Sequence, residues 1–257
     1  MSNSDAWRDL LGRIVDRGKL VFDTATVPLS AKGTKDAKVW ALALLARTIG
    51  NIEGAMLLLD AGRGIETRTL IRCAYENFFC AAAIGKIGDD FIKIMELDDA
   101  ASCKKQAKRL LDWAGKQQQQ QDFAERLTKF AAALDAKHPK APYLNHQKAA
   151  EVGTIDDAYI FYNVLSNDAA HPSATSLGRY ITWNVDDTEW TISAIPADDS
   201  DEIDETLELA CGVMLGITVA VNEVVDGTNV GEDLFKLSDE FRALSNASKA
   251  SRDNTAA

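Results

Sequence analysis

Apolar residues recur at helical spacing along most of this chain, and only one stretch alternates. From Asp5 to Gly18, Trp7, Leu10, Leu11 and Ile14 fall on one side behind an acidic first turn, which predicts an amphipathic helix. Pro28 to Gly33 is a loop. Lys35 to Asp60 is apolar over most of its circumference, Ala61 to Gly64 breaks it, and Ile65 to Ile87 resumes the helical period. Two long buried helices joined by so short a turn form an antiparallel hairpin. Asp89 to Lys137 keeps the period but is richer in Lys, Gln and Asp, which predicts one or two solvated helices. The basic run Cys103 to Arg109 and the glutamine run Gln117 to Gln121 belong to that exposed surface. His138, Pro139, Ala141 and Pro142 interrupt it before a short helix near Asn145 to Glu151.

A further helix begins near Tyr159 and stops before Pro172, whose ring removes an N–H and pushes the preceding residue out of the α region. From Arg179 to Ile195 the period is two. Tyr180, Thr182 and Asn184 face one way, Ile181, Trp183 and Val185 the other, and after a VDDT turn Trp190 and Ile192 lie on a return strand. The two tryptophans predict that this hairpin packs as a flap on the bundle. Acidic Asp198 to Glu205 suits the first turn of a last core helix, Glu205 to Val225. Gly231 to Leu244 is one more helix, and Ser245 to Ala257 a disordered polar tail. The expected architecture is a single mainly α domain over residues 1–244: a bundle of about six or seven helices with one inserted β-hairpin.

Composition adds limits. A chain of 257 residues that is 46% hydrophobic supports one large core. Its start lacks the basic, apolar and small-residue pattern of a secretory signal, and its apolar runs, Val39 to Ala46 and Leu209 to Val221, are shorter than the roughly 20 residues of a membrane span. A cytoplasmic protein without membrane insertion is expected. Cys73, Cys80, Cys103 and Cys211 make no zinc or C-x-x-C spacing and are expected as buried free thiols. Residues 1–150 carry 23 Lys and Arg against 18 Asp and Glu, giving +5; residues 151–257 carry 5 against 21, giving −16; the total is −11. So acidic a C-terminal part repels nucleic acid over a broad surface, leaving a local, sheltered cleft as the route to RNA. Neither G-x4-G-K-[ST] nor G-x-G-x2-G occurs, and no helical H-x3-H or E-x2-H pair accompanies His138 or His146, so no cofactor or metal is expected.

Two segments concentrate the candidate chemistry. At about 100° per residue, Arg68, Arg72 and Glu76 span about 80° of one helix, with Tyr75 and Phe79 between them and Leu70, Ala74, Phe78 and Ala81 opposite. The helix is apolar nearly all round, so its charges need partners: Arg72 and Glu76, four apart, pair with each other. Two readings follow: an ion pair that fixes helix register, or a pocket that holds an anion or phosphodiester. In Tyr159 to Ser173, YIFYNVLSNDAAHPS, the polar cluster Ser166, Asn167 and Asp168 precedes His171 at the helix end. His171 is either a dipole-stabilised helix-terminal imidazole or an acid–base group. A Ser166 nucleophile lacks the G-x-S-x-G context.

These segments resemble a bacterial helical family, the domain-of-unknown-function family numbered 5677. The resemblance rests on Gly62, Glu66, Arg72 and Glu76 in one run and on Tyr162, Ser166, His171, Pro172 and Ser173 in the other, over some 110 residues. It implies a bundle in which the arginine and glutamate helix packs beside the serine and histidine helix, and it carries no activity. The end of SNDAAH is also distantly similar to HEPN ribonucleases of toxin and phage-defence systems. Asn167 and His171 match that family's spacing, while Ser166 stands where the family has arginine. The similarity implies metal-independent RNA cleavage: His171 moves a proton, an arginine steadies the scissile phosphate, and Arg72 has to supply that charge from the neighbouring helix. The catalytic set is then His171, Arg72, Asn167 and Ser166, with Arg68, Glu76, Tyr162 and Tyr75 as binding residues. The alternative is a non-catalytic helical binding module built around the same cluster. A homodimer is expected, since the long apolar helix pair and the hairpin offer more apolar surface than a small bundle covers.

Overall fold

The computed structural model describes residues 3–28, 30–115, 121–169, 172–183, 189–196 and 199–255. His171 and the turn residues Val185 to Thr188 therefore lie outside the described residues, as do Asn184, Asp198 and all of the glutamine run except Gln121.

Helix α1 (Asn3–Thr24) buries Trp7, Leu10, Leu11, Ile14 and Val21, the stripe its period predicts. After a short 3-10 turn (Gly33–Lys35), α2 (Ala37–Asp60) starts at Asp36, whose carboxylate accepts from the Lys38 N–H. It ends in a Schellman turn: the Arg63 N–H reaches Leu58 O (2.9 Å) and the Gly62 N–H reaches Leu59 O (3.0 Å). Gly62 sits at φ +66°, a backbone that side chains disfavour, so the break at Ala61 to Gly64 is chemically specified. Helix α3 (Gly64–Ile87) then returns antiparallel to α2.

Helix α4 (Asp89–Ala114) and α5 (Gln121–Lys137) pack mainly on each other, α5 with no buried residue among those described. This is the solvated pair that their polar texture predicts. Short α6 (His146–Val152), with Asn145 accepting from the Lys148 N–H, lies on α3. The approach at its end is close: a Cβ on Gly153 would stand 2.7 Å from the Ala82 Cβ. Helix α7 (Ala158–Ala169) packs on α3 as well and stops before Pro172; Ser173 and Ser176 then form a capping box at the start of α8 (Ala174–Gly178).

Strands β1 (Ile181–Trp183) and β2 (Trp190–Ile192) pair antiparallel with Ile181 opposite Ile192 and Trp183 opposite Trp190. The alternation is as expected, but the packing is not. Trp183 is 67% and Trp190 57% exposed, and all six strand residues are open, so the hairpin stands off the bundle. Its ties to the bundle are at its base, where Arg179 pairs with Glu202 and Arg63 donates to Ala194 O (3.5 Å).

Helix α9 (Ser200–Val224) is central and packs on α1, α2, α3 and α10 (Gly231–Thr255). It starts at Ser200, capped by Asp199, whose carboxylate accepts from the Asp201 N–H, earlier than the expected Glu205. By length and composition α2 and α9 are apolar enough to cross a membrane; here their apolar faces pack on neighbouring helices. Helix α10 overturns the expected tail. Ser245 and Ser248 are buried, one donating to Glu208 and the other accepting from the Asn3 amide, so serines that suggest disorder are inward contacts. The bundle is mainly α with one hairpin, and the segments beyond the long helices are the short α6 and α8. All four cysteines are free thiols; Cys80 and Cys211 are buried, while Cys73 and Cys103 are half-buried.

Candidate functional site

Helix α3 carries two arginines one turn apart, and each meets a different neighbour. Arg68, 3% exposed, faces α9: its Nη1 lies 3.2 Å from Thr206 Oγ1, 3.4 Å from Glu205 and 3.6 Å from Glu202. Tyr75 turns the same way, its hydroxyl toward Leu209 O and its phenol pushed up in pKa by burial. Arg68 and Tyr75 are therefore part of the α3–α9 contact and do not join the cluster expected to bind a ligand. An 80° arc is wide enough to touch two different helices.

Arg72 faces α7. Its Nε donates to Ser166 Oγ (2.9 Å), and its Nη2 donates to the Tyr162 hydroxyl (2.7 Å) and pairs with Glu76 Oε1 (3.1 Å). The Tyr162 hydroxyl donates in turn to the same Glu76 oxygen (3.1 Å). The guanidinium carbon also stands 4.8 Å from the Tyr162 ring centroid, a cation–π contact. Ser166 accepts from Arg72 and donates to the Tyr162 carbonyl, one turn back in α7 (2.7 Å). Residues 162 and 166 share a face of α7, as 72 and 76 do on α3, so two i,i+4 pairs meet as a square.

Electrostatics keep the square in one state. Burial raises the Tyr162 pKa and the Glu76 charge raises it further, so the phenol stays protonated and available to donate. The Arg72 and Glu76 side chains are 20% and 24% exposed, so the expected pair exists but is half-buried. Nη1 of Arg72 makes no hydrogen bond among the described residues, which leaves one edge of the guanidinium with donors for an anion.

Other predicted residues are arranged less closely. Asn167 is exposed, and its carbonyl accepts from Ser173 Oγ (3.1 Å), which ties the end of α7 to the start of α8. His171 follows Ala169 by two residues and lies outside the described residues. One neighbour escaped the sequence reading: His146, at the start of α6, has its ring centroid 5.9 Å from that of Tyr162. His146 is half-buried, and only the packing of α6 and α7 on α3 brings it there. Among the described residues no three His, Cys, Asp or Glu side chains gather as a metal site. A cavity of about 550 Å³ lies elsewhere, between α3, α9 and α10 around Phe78, Gly216 and Phe241. None of Arg72, Tyr162 or Ser166 lines it, so the polar square and that cavity are separate features.

The profile of a family of unknown function (DUF5677) matches residues 38–189, more than half of the chain. That span runs from α2 to the hairpin and includes the whole Arg72 cluster. No curated protein and no solved structure matches.

Proposed function

We propose that this chain, which belongs to the family of unknown function DUF5677, is a HEPN-like cytoplasmic protein that cleaves RNA without a metal. The observation that carries the reading is the 2.9 Å contact from Arg72 Nε to Ser166 Oγ. The distant similarity to HEPN ribonucleases lacks an arginine at Ser166, and the Arg72 guanidinium, reaching Ser166 from α3, supports a substitute for it. Tyr162 and Glu76 hold Arg72 at Nη2 and Ser166 holds it at Nε, so the remaining edge is pre-oriented and costs little to reorganise when charge develops on a phosphate. His171, five residues beyond Ser166, is the proton-transfer group, and attack by the ribose 2′-hydroxyl requires no metal.

The test is incubation of purified protein with single-stranded RNA in EDTA. Cleavage leaving 2′,3′-cyclic phosphate ends is expected, with loss of cleavage in His171→Ala and at least about a hundredfold slower cleavage in Arg72→Ala. Intact RNA with wild-type protein, together with a His171→Ala variant that melts several degrees lower, overturns the reading.

A second reading, a non-catalytic helical binding module, is favoured by one feature: Glu76 already neutralises Arg72 at 3.1 Å. In either case the exposed apolar face of the hairpin, Ile181, Trp183, Trp190 and Ile192, supports assembly as a homodimer. Light scattering at micromolar concentration is expected to give twice the 28.0 kDa chain mass, falling to one chain in Trp183→Ser/Trp190→Ser. A wild-type monomer removes the dimer.

A further inference from the structure

The basic run on α4 acquires a shape in the fold that its sequence does not convey. Lys104, Lys105 and Lys108 line a shallow hollow of about 430 Å³ with Lys140 and Tyr143, from the linker between α5 and α6, and a single carboxylate, Asp135. Lys104 is neutralised by Asp135 at 2.7 Å. Among the described residues Lys105, Lys108 and Lys140 form no ion pair. The Lys105 ammonium stands 5.5 Å from the Tyr143 ring centroid, and that ring is 55% exposed. Three cations without counter-ions beside an open aromatic ring are the two halves of a single-strand binding surface: charge for the backbone, a π-face for a base.

The hollow is also joined to the Arg72 cluster. The linker is pinned to α4 where the Leu144 N–H donates to Asp98 Oδ1 (2.7 Å). Tyr143 is three residues from His146, a chain path of at most about 11 Å. The His146 ring adjoins Tyr162, and the Tyr162 hydroxyl holds Arg72. A strand laid over Tyr143 is thereby led toward the guanidinium.

We infer that the α4 hollow of Lys105, Lys108, Lys140 and Tyr143 holds single-stranded RNA and feeds it to the Arg72 cluster; the inference rests on the RNA-cleaving reading. The rest of the surface decides the form of the polyanion. A duplex or an anionic bilayer needs broad contact, which the −16 charge of residues 151–257 opposes, whereas a single strand needs only this local patch. Unpaired bases are also what an exposed tyrosine can stack.

Fluorescence anisotropy of a labelled single-stranded RNA in EDTA tests it, with the full-length His171→Ala protein used to prevent turnover. Three engaged lysines predict a slope of log affinity on log salt of about −2, from −0.7 per neutralised phosphate of a single strand. Lys105→Glu/Lys108→Glu, at exposed positions, is expected to weaken binding at least about tenfold and to bring the slope above −1. Tyr143→Ala is expected to cost about tenfold at an unchanged slope. In the otherwise wild-type protein the lysine pair is expected to raise KM with kcat kept. Lysine-dependent RNA binding without cleavage sinks the catalytic reading and leaves only the hollow's hold on single-stranded RNA standing. Charge reversal that leaves affinity unchanged overturns the inference, as does wild-type protein that binds no RNA or that binds anionic phospholipid vesicles in its place.

Discussion

Arg68 and Arg72 leave the same helix one turn apart, and their surroundings differ in kind. Arg68 is enclosed between α3 and α9, 3% exposed, with two carboxylates at 3.4 and 3.6 Å and a threonine hydroxyl. Arg72 lies between α3 and α7, 20% exposed, and is held by one carboxylate, one phenol and one serine at 2.7 to 3.1 Å. A buried guanidinium that faces only its counter-ions serves the packing of the bundle, because moving it exposes charge to a low-dielectric interior. A guanidinium that is oriented on one edge and open on the other can still bind something. Burial and the number of carboxylates at hand, rather than residue type, separate the structural arginine from the functional candidate.

Stripping each arginine of its carboxylates breaks the comparison most directly. Glu202→Ala/Glu205→Ala leaves Arg68 buried without those counter-ions, and a loss of about 3–5 kcal/mol is expected in denaturant unfolding. The same treatment of Arg72 is milder. In Glu76→Ala water reaches the guanidinium while Ser166 and Tyr162 keep their bonds, so about 1–2 kcal/mol is expected. Equal losses from the two variants would erase the distinction drawn here.

A finer probe is Cys80 on the same helix. Burial, with a contribution from the Glu76 charge, pushes its thiol from 9.0 to about 12. The native state holds the proton that the unfolded chain releases, so stability is full below pH 9 and declines as pH rises toward 12. About 1 kcal/mol should be gone one unit above the unfolded value. Cys80→Ala should remove about half of that limb in urea titrations between pH 8 and pH 10, because burial also pushes up the Cys211 thiol, which supplies the rest. A wild-type midpoint indifferent to pH across that range would mean the thiol is not shielded.

Much of the fold is legible in the sequence alone. The α2–α3 hairpin, its glycine turn and the stop before Pro172 follow from local rules, because a positive φ at Gly62 and a missing N–H at Pro172 act within a few residues. The Arg72–Glu76 pair was legible for the same reason, as i,i+4 neighbours meet whatever else the chain does. The end of α10 was not. Ser245 and Ser248 have the composition of a tail, and only Glu208 and Asn3, distant in sequence, make them internal. The hairpin was legible in register but not in position: alternation fixes which residues share a face, not what covers it.

Sequence periodicity by itself determined a helical bundle with one hairpin, an i,i+4 arginine–glutamate pair and a polar helix end before Pro172, since each is set by contacts within about one helical turn. Tertiary structure alone decided that Arg68 and Tyr75 turn to α9 while Arg72 turns to Tyr162 and Ser166, that His146 joins them, and that Lys140 and Tyr143 complete the lysine hollow on α4. The helical period gives a side chain its angle on its own helix. Which neighbour fills that angle depends on how distant helices divide the apolar surface between them, and that is a property of the packed chain as a whole.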